Sequence, residues 1–278
     1  MEQTIAIAGL GLIGGSFAKA IKRKTSLYIL GFDVCQKAEE KALADGAIDS
    51  IGSWDALSKA DTLYLALYPD SAIEFLKNSL PYLKKGALII DLCGVKTYIY
   101  NQLSPLCQEH GLSYIGAHPM AGRELSGYDA SLPSLFDGAS LILTPGNGVE
   151  SEAVSRFMEF AYEIGFSRCV VTTPEHHDQM IAYTSQLAHV VSASYIKSPR
   201  AEFQSGYSAG SYKDMTRVAK LNETMWSELF LENAVPLIEE IDEMILHLKE
   251  YRSAIAERNE PLLKELLKDS RQRKEHFG

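Results

Sequence analysis

Gly9-Leu10-Gly11-Leu12-Ile13-Gly14 has the spacing GxGxxG, which can cradle a pyrophosphate. Gly9 permits a tight turn, Gly11 lets phosphates approach the backbone, and Gly14 lets a helix pack closely on the preceding strand. The phosphates then rest on the helix N-terminus that Leu12 and Ile13 open, where free N–H groups favour anions. Alone, such a motif also describes a structural turn. Asp33, at the end of the second predicted strand, strengthens the first reading: its carboxylate accepts from an adenosine ribose and repels a 2′-phosphate. The pattern therefore predicts NAD rather than NADP, with Lys37 as the nearest cation. A second group lies in Gly116–Gly127, where His118 can take a proton near neutral pH, although His-Pro alone fits a turn equally well. Asp91–Lys96 brings the cation of Lys96 to the same sheet edge. Farther on, Arg217 sits among small and apolar neighbours. It can clamp a carboxylate bidentately, or close an ion pair with Asp214 or a glutamate.

The elements that position these residues follow from pattern. Seventeen of the 20 glycines precede residue 173; tight strand–helix turns use glycine and long helices exclude it. Thr4–Ala8, Leu27–Phe32, Thr62–Leu67, Ala87–Leu92, Ser113–Ala117 and Leu141–Thr144 read as strands, most of them separated by amphipathic stretches. Strands apolar on both faces and alternating with helices predict a parallel sheet covered on each side. Residues 1–172 are thus expected to form an α/β Rossmann-type domain with a parallel sheet. Residues 173–278 are expected to form an all-α domain, with a helix from Pro174 to about Lys197, a polar loop over Ser198–Ser211, and one or two helices from Glu223 to about Glu250, kinked at Pro236. Leu237, Ile241, Ile245 and Leu248 share a helical face that suits a core or a subunit interface. The tail Arg271–Gly278 is polar enough to fray.

Composition removes several classes. The net charge is −9, and neither part has the basic excess of a nucleic-acid binder. Cys35, Cys93, Cys107 and Cys169 form no CxxC, which argues against a zinc site or disulfide framework and suits a reducing cytoplasm. No apolar run is long enough to span a bilayer, and Glu2 stands where a signal peptide wants positive charge. The expectation is a cytoplasmic protein without a metal, a membrane or a nucleic-acid partner.

GxGLIGGS at Gly9–Ser16, HPMAGxExSG at His118–Gly127 and KDxTRxA at Lys213–Ala219 occur in this order, with Met225-Trp226 and Leu231-Glu232-Asn233 beyond them. Together they closely resemble the prephenate dehydrogenase family, from residue 3 to roughly 250. The resemblance implies NAD-dependent oxidative decarboxylation of prephenate to 4-hydroxyphenylpyruvate in tyrosine biosynthesis, by a chain whose helical domain makes a homodimer. It implies that His118 takes the C4 hydroxyl proton, that Arg217 holds a substrate carboxylate, that Glu124 belongs to a polar gate and that Lys96 lies near the nicotinamide edge. The chain departs from the family pattern twice. Gly94 stands where a serine commonly orients the histidine, leaving water or Thr97 to replace the hydroxyl. Ser185-Gln186-Leu187-Ala188-His189 replaces Ser-His-x-Pro-His, so Gln186 takes one histidine's place at the substrate while His189 remains. These departures leave prephenate and its amino analogue arogenate both open. A β-hydroxyacid-type dehydrogenase of the same architecture usually relies on a catalytic lysine or acid in the helical domain, and the only lysine of the helix ending near Lys197 is Lys197 itself, at its far end. A nucleotide-sensing protein without catalysis would have no use for His118, Lys96 and Arg217 together.

Overall fold

The computed structural model describes residues 3–277; Glu2 and the terminal Gly278 lie outside the described residues. The chain opens with β1 (Thr4–Ala8), α1 (Leu12–Lys24), β2 (Tyr28–Phe32), α2 (Gln36–Ala44) and the two-residue β3 (Ser50–Ile51). β4 (Thr62–Leu65), α3 (Pro69–Ser79), β5 (Leu88–Asp91), α4 (Thr97–Glu109) and β6 (Ser113–Pro119) follow, then β7 (Ser140–Pro145), α5 (Ser151–Glu163) and β8 (Arg168–Val171). The sheet order is β3-β2-β1-β4-β5-β6-β7-β8. Both faces are covered: Phe17, Ile21, Phe136 and Phe157 pack on one, Leu76, Ile99, Leu103 and Cys107 on the other. The crevice of such a sheet lies beyond the strand ends where the order reverses, between β1 and β4.

The expected sheet differs in three respects. β3 and β8 join it as edge strands; β8 escapes the sequence pattern because Arg168, Val170 and Val171 are exposed. β7 runs antiparallel to β6, because the chain between them holds only a short 3₁₀ turn, Tyr128–Ala130, and no crossover helix. β6 also extends to Pro119, so His118 lies on a strand, opposite Ile142 of β7, rather than in the loop beyond.

After Thr173 caps its first turn, α6 (Pro174–Ile181) passes into a π-helical turn, Ala182–Gln186, and continues as α7 (Leu187–Tyr195). The expected single helix is thus wound one residue per turn looser at its centre. A 3₁₀ segment (Pro199–Phe203), α8 (Gly210–Thr216), a second 3₁₀ turn (Arg217–Ala219) and α9 (Glu223–Glu232) lead to α10 (Ala234–Ala256) and α11 (Glu260–Phe277). The break falls at Asn233 rather than Pro236, which occupies the first turn of α10, where an N–H has no helical acceptor. The described part of the tail, Arg271–Phe277, is helical within α11, which contains Arg271–Glu275 and Arg273–Asp269 pairs, and Tyr251 of α10 bonds Ser270. The apolar stripe on α10 divides. Leu237 is buried with Ala182 and Leu187, and Ile241 packs on them, while Ile245 and Leu248 remain exposed beside Ile238 and Ile255. Among the described residues, no helix is long and apolar enough to cross a membrane.

Candidate active site

The glycine turn joins β1 to α1 as its spacing requires. Gly9 has φ +89°, and a Cβ on it would overlap the Ala66 carbonyl of the neighbouring strand end; a Cβ on Gly14 would overlap the Gly9 carbonyl. Gly11 is the opposite case, with no atom within 4 Å of where its Cβ would be. It precedes a helix that begins at Leu12 and Ile13 without a side-chain cap, so no N-cap side chain takes up its first amides. Asp33 closes the turn from the other side. Its Oδ2 accepts from the Leu10 N–H at 2.7 Å and its Oδ1 from the Cys35 N–H at 2.8 Å, which fixes the carboxylate at the end of β2 with lone pairs to spare. A turn open at Gly11, amides without a cap and a fixed acceptor beside them fit a dinucleotide.

Across the sheet edge, His118 Nδ1 meets His177 Nε2 at 2.9 Å, and His177 Nδ1 meets Asp178 Oδ1 at 2.7 Å. The acid end of this chain is fixed by the other domain: Asp178 Oδ1 and Oδ2 accept the N–H groups of Lys96 and Thr97 at 2.8 and 2.7 Å. Burial pushes the Asp178 carboxyl up, but its hydrogen bonds with His177 and Thr97 outweigh that and hold it below the usual range. An ionised Asp178 only accepts, so His177 donates from Nδ1 and presents Nε2 as an acceptor. His118 must then donate from Nδ1, and its Nε2 carries a lone pair. Burial, followed by His177 and Lys96, holds the His118 ring well below its ordinary pKa of 6.5, and burial lowers His177 as well. His118 is therefore neutral near pH 7, with a base directed away from its partner. Neither His177 nor Asp178 was singled out from sequence; the signal available was the His-Asp doublet just inside a Thr-Pro helix start.

Lys96 does not face the crevice. It is fully buried, its Nζ bonded to Asp91 Oδ1 at 2.5 Å while Tyr114 donates to Asp91 Oδ2 at 2.6 Å. A buried ammonium needs a carboxylate, and Asp91 at the end of β5 draws it inward. Lys96 is thus a buried, paired charge rather than an exposed cation at the sheet edge, and its field reaches the His118 ring. Gln186 is corrected likewise: it is buried, bonded to Leu229 and Asn233, and does not point into the cleft. The backbone of Thr97 serves Asp178. A Cβ on Gly94 would stand 3.9 Å from His118 Nε2, so position 94 adjoins the base as the family pattern implied.

Arg217 donates to Glu124 Oε1 at 2.7 Å, linking the helical domain to the loop that leaves β6. Arg217 and His189 line a cleft of about 310 Å³ with Thr184, Ala188 and Met215. The His189 ring lies 3.9 Å from that of Trp226 and donates to the Ser185 carbonyl; burial lowers its pKa. One further acid stands nearby. Glu232 has a buried Oε2 without a partner among the described residues, and burial, with Glu228, Asp70 and Asp178, pushes its carboxyl up to about 8.

Two family models match the chain: the nucleotide-binding domain of prephenate dehydrogenase over residues 17–171 and its dimerization domain over residues 173–269. A cyclohexadienyl dehydrogenase from Zymomonas mobilis is 36% identical over 279 residues, covering 96% of this chain and 93% of that one. A crystal structure of prephenate dehydrogenase from A. aeolicus, in complex with hydroxyphenyl propionate and NAD+, superposes with a TM-score of 0.88 at 26% identity, covering 100% and 99% of the two chains. The Synechocystis arogenate dehydrogenase structure gives 0.84 at 26% identity, covering 99% and 100%.

Proposed function

The chain belongs to the prephenate dehydrogenase family, and on that premise we propose that it oxidises and decarboxylates prephenate to 4-hydroxyphenylpyruvate with NAD, in tyrosine biosynthesis. The observation that carries this reading is the Asp178–His177–His118 chain, which leaves one imidazole nitrogen as a base at the sheet edge. Gly9, Gly11, Leu12, Ile13 and Gly14 hold the pyrophosphate of NAD, and Asp33 its ribose. Bound NAD supplies the hydride acceptor. His118 Nε2 takes the C4 hydroxyl proton, and the positive charge it gains is shared along a chain ending in a carboxylate. Arg217 holds a substrate carboxylate, with His189 lining the same cleft and Glu124 at its gate. The decarboxylated ring becomes aromatic, so the protein need only orient the groups and accept the proton.

Arogenate is the second reading. Glu124, beside Arg217, offers an acceptor for the ammonium that distinguishes arogenate from prephenate. The domain boundary falls between residues 172 and 173, and the exposed face of α10 pairs two chains in a homodimer. The measurement that tests the reading is NADH formation from prephenate and from arogenate, each with NAD and with NADP. His118→Asn is expected to lower kcat by roughly 10²–10⁴ with NAD affinity unchanged, and an Asn variant within threefold of the parent overturns the assignment. Because the ring pKa lies below 6.5, the acid limb of kcat/KM is expected below that pH.

A further inference from the structure

Gln186 is 1% exposed, and both ends of its amide are used. Nε2 donates to the Leu229 carbonyl at 3.0 Å, and Oε1 accepts from Asn233 Nδ2 at 2.7 Å. The same Asn233 nitrogen donates to the Asp178 carbonyl at 2.9 Å. One buried cluster thereby ties the π turn, α9 and the start of α10 to the residue that ends the histidine chain. Gln186 ends the π turn and is buried, while His189, one turn later, lines the cleft.

What the cluster holds in place is Leu229. Its two methyl carbons stand 3.6 Å from where a Cβ on Gly94 would be, and His118 Nε2 stands 3.9 Å from the same point. The leucine and the base therefore border one small space above Gly94. We propose that Gln186 and Asn233 are positioning residues that hold Leu229 as a water-excluding wall on the proton-accepting side of His118. The proposal rests on the reading of His118 as the proton acceptor. The charged and titratable groups acting on that ring are His177 from α6 and Lys96 from the turn after β5, with Asp178 behind His177. None of them makes a hydrogen bond to Nε2, and the side chain that shares the space above Gly94 with it is the apolar Leu229. Water admitted there would compete with the substrate hydroxyl and restore solvation to the imidazolium, weakening the effect of burial on the ring.

The test uses Leu229→Ala and Gln186→Leu, with Leu229→Met as the conservative control. Histidine-labelled enzyme without substrate is titrated by NMR to follow the His118 ring, while kcat and KM for prephenate and NAD affinity by fluorescence are measured in parallel. Both disruptive variants are expected to raise the ring's titration midpoint by roughly half to one pH unit. They are also expected to lower kcat about tenfold, with KM and NAD affinity little changed, and Leu229→Met restores both quantities. An unshifted titration with parental kcat in Leu229→Ala overturns the proposal, and so does a Gln186→Leu enzyme that loses only thermal stability. Should His118→Asn retain activity, the reading of the base fails instead, whatever Leu229 does.

Discussion

At the scale of single residues, Arg217 can act as a binding group or as half of a structural pair, and its surroundings separate the two. Its guanidinium is paired with Glu124, but both side chains are largely exposed, and an exposed pair contributes little to stability. A substrate carboxylate in the cleft can replace Glu124 at modest cost. Arg217→Ala is therefore expected to raise KM for prephenate roughly tenfold to a hundredfold, as loss of a charge-assisted contact does, while leaving the melting temperature nearly unchanged. A collapse in thermal stability with an intact KM would mark the pair as structural. His118 and Arg217 drew attention in the sequence because a histidine at a strand end and an arginine among small residues are local signals. The orientation of Lys96 was not, because the partner that draws it inward, Asp91, acts through burial that no spacing encodes. His177 was missed for a related reason: its value lies in a contact 59 positions away in the chain.

Among the elements, the glycine turn and β2 act as one device. Asp33 is fixed by two backbone N–H groups, one from the turn itself, so its charge is held at the end of β2 beside the glycine turn. Repulsion of a 2′-phosphate at this partly solvated site is on the order of 2 kcal/mol with an effective dielectric near 20, or about thirtyfold in affinity. Asp33→Ser is expected to narrow the gap between NAD and NADP chiefly by improving NADP; equal use of both cofactors by the parent enzyme would place Lys37 on the phosphate. The strands of this region were readable because parallel strands are continuously apolar. The reversal of β7 was not, since a hairpin-like return and a crossover differ only in the missing helix. The π turn lay equally out of sight: α6 and α7 read as one periodic run, and the register slip serves contacts made by α9 and α10.

For the whole molecule, the division between a glycine-rich sheet and glycine-poor helices was plain from composition, whereas the dependence of each part on the other was not. The base stands on β6, its orienting partners on α6, and the wall beside it on α9. The carboxylate of Asp178 has a further consequence. It accepts the amides of Lys96 and Thr97 at the start of α4, so a helix of the sheet domain is capped by a side chain of the helical domain. Any separation of the two domains would take the acceptor from those amides in the same event that takes His177 from His118. Their exchange with deuterium thus becomes a clock for opening of the crevice, separate from the slower exchange of the β5 and β6 core. Ligands that span both domains should slow that clock, whereas a dinucleotide held by the sheet domain alone should leave it running.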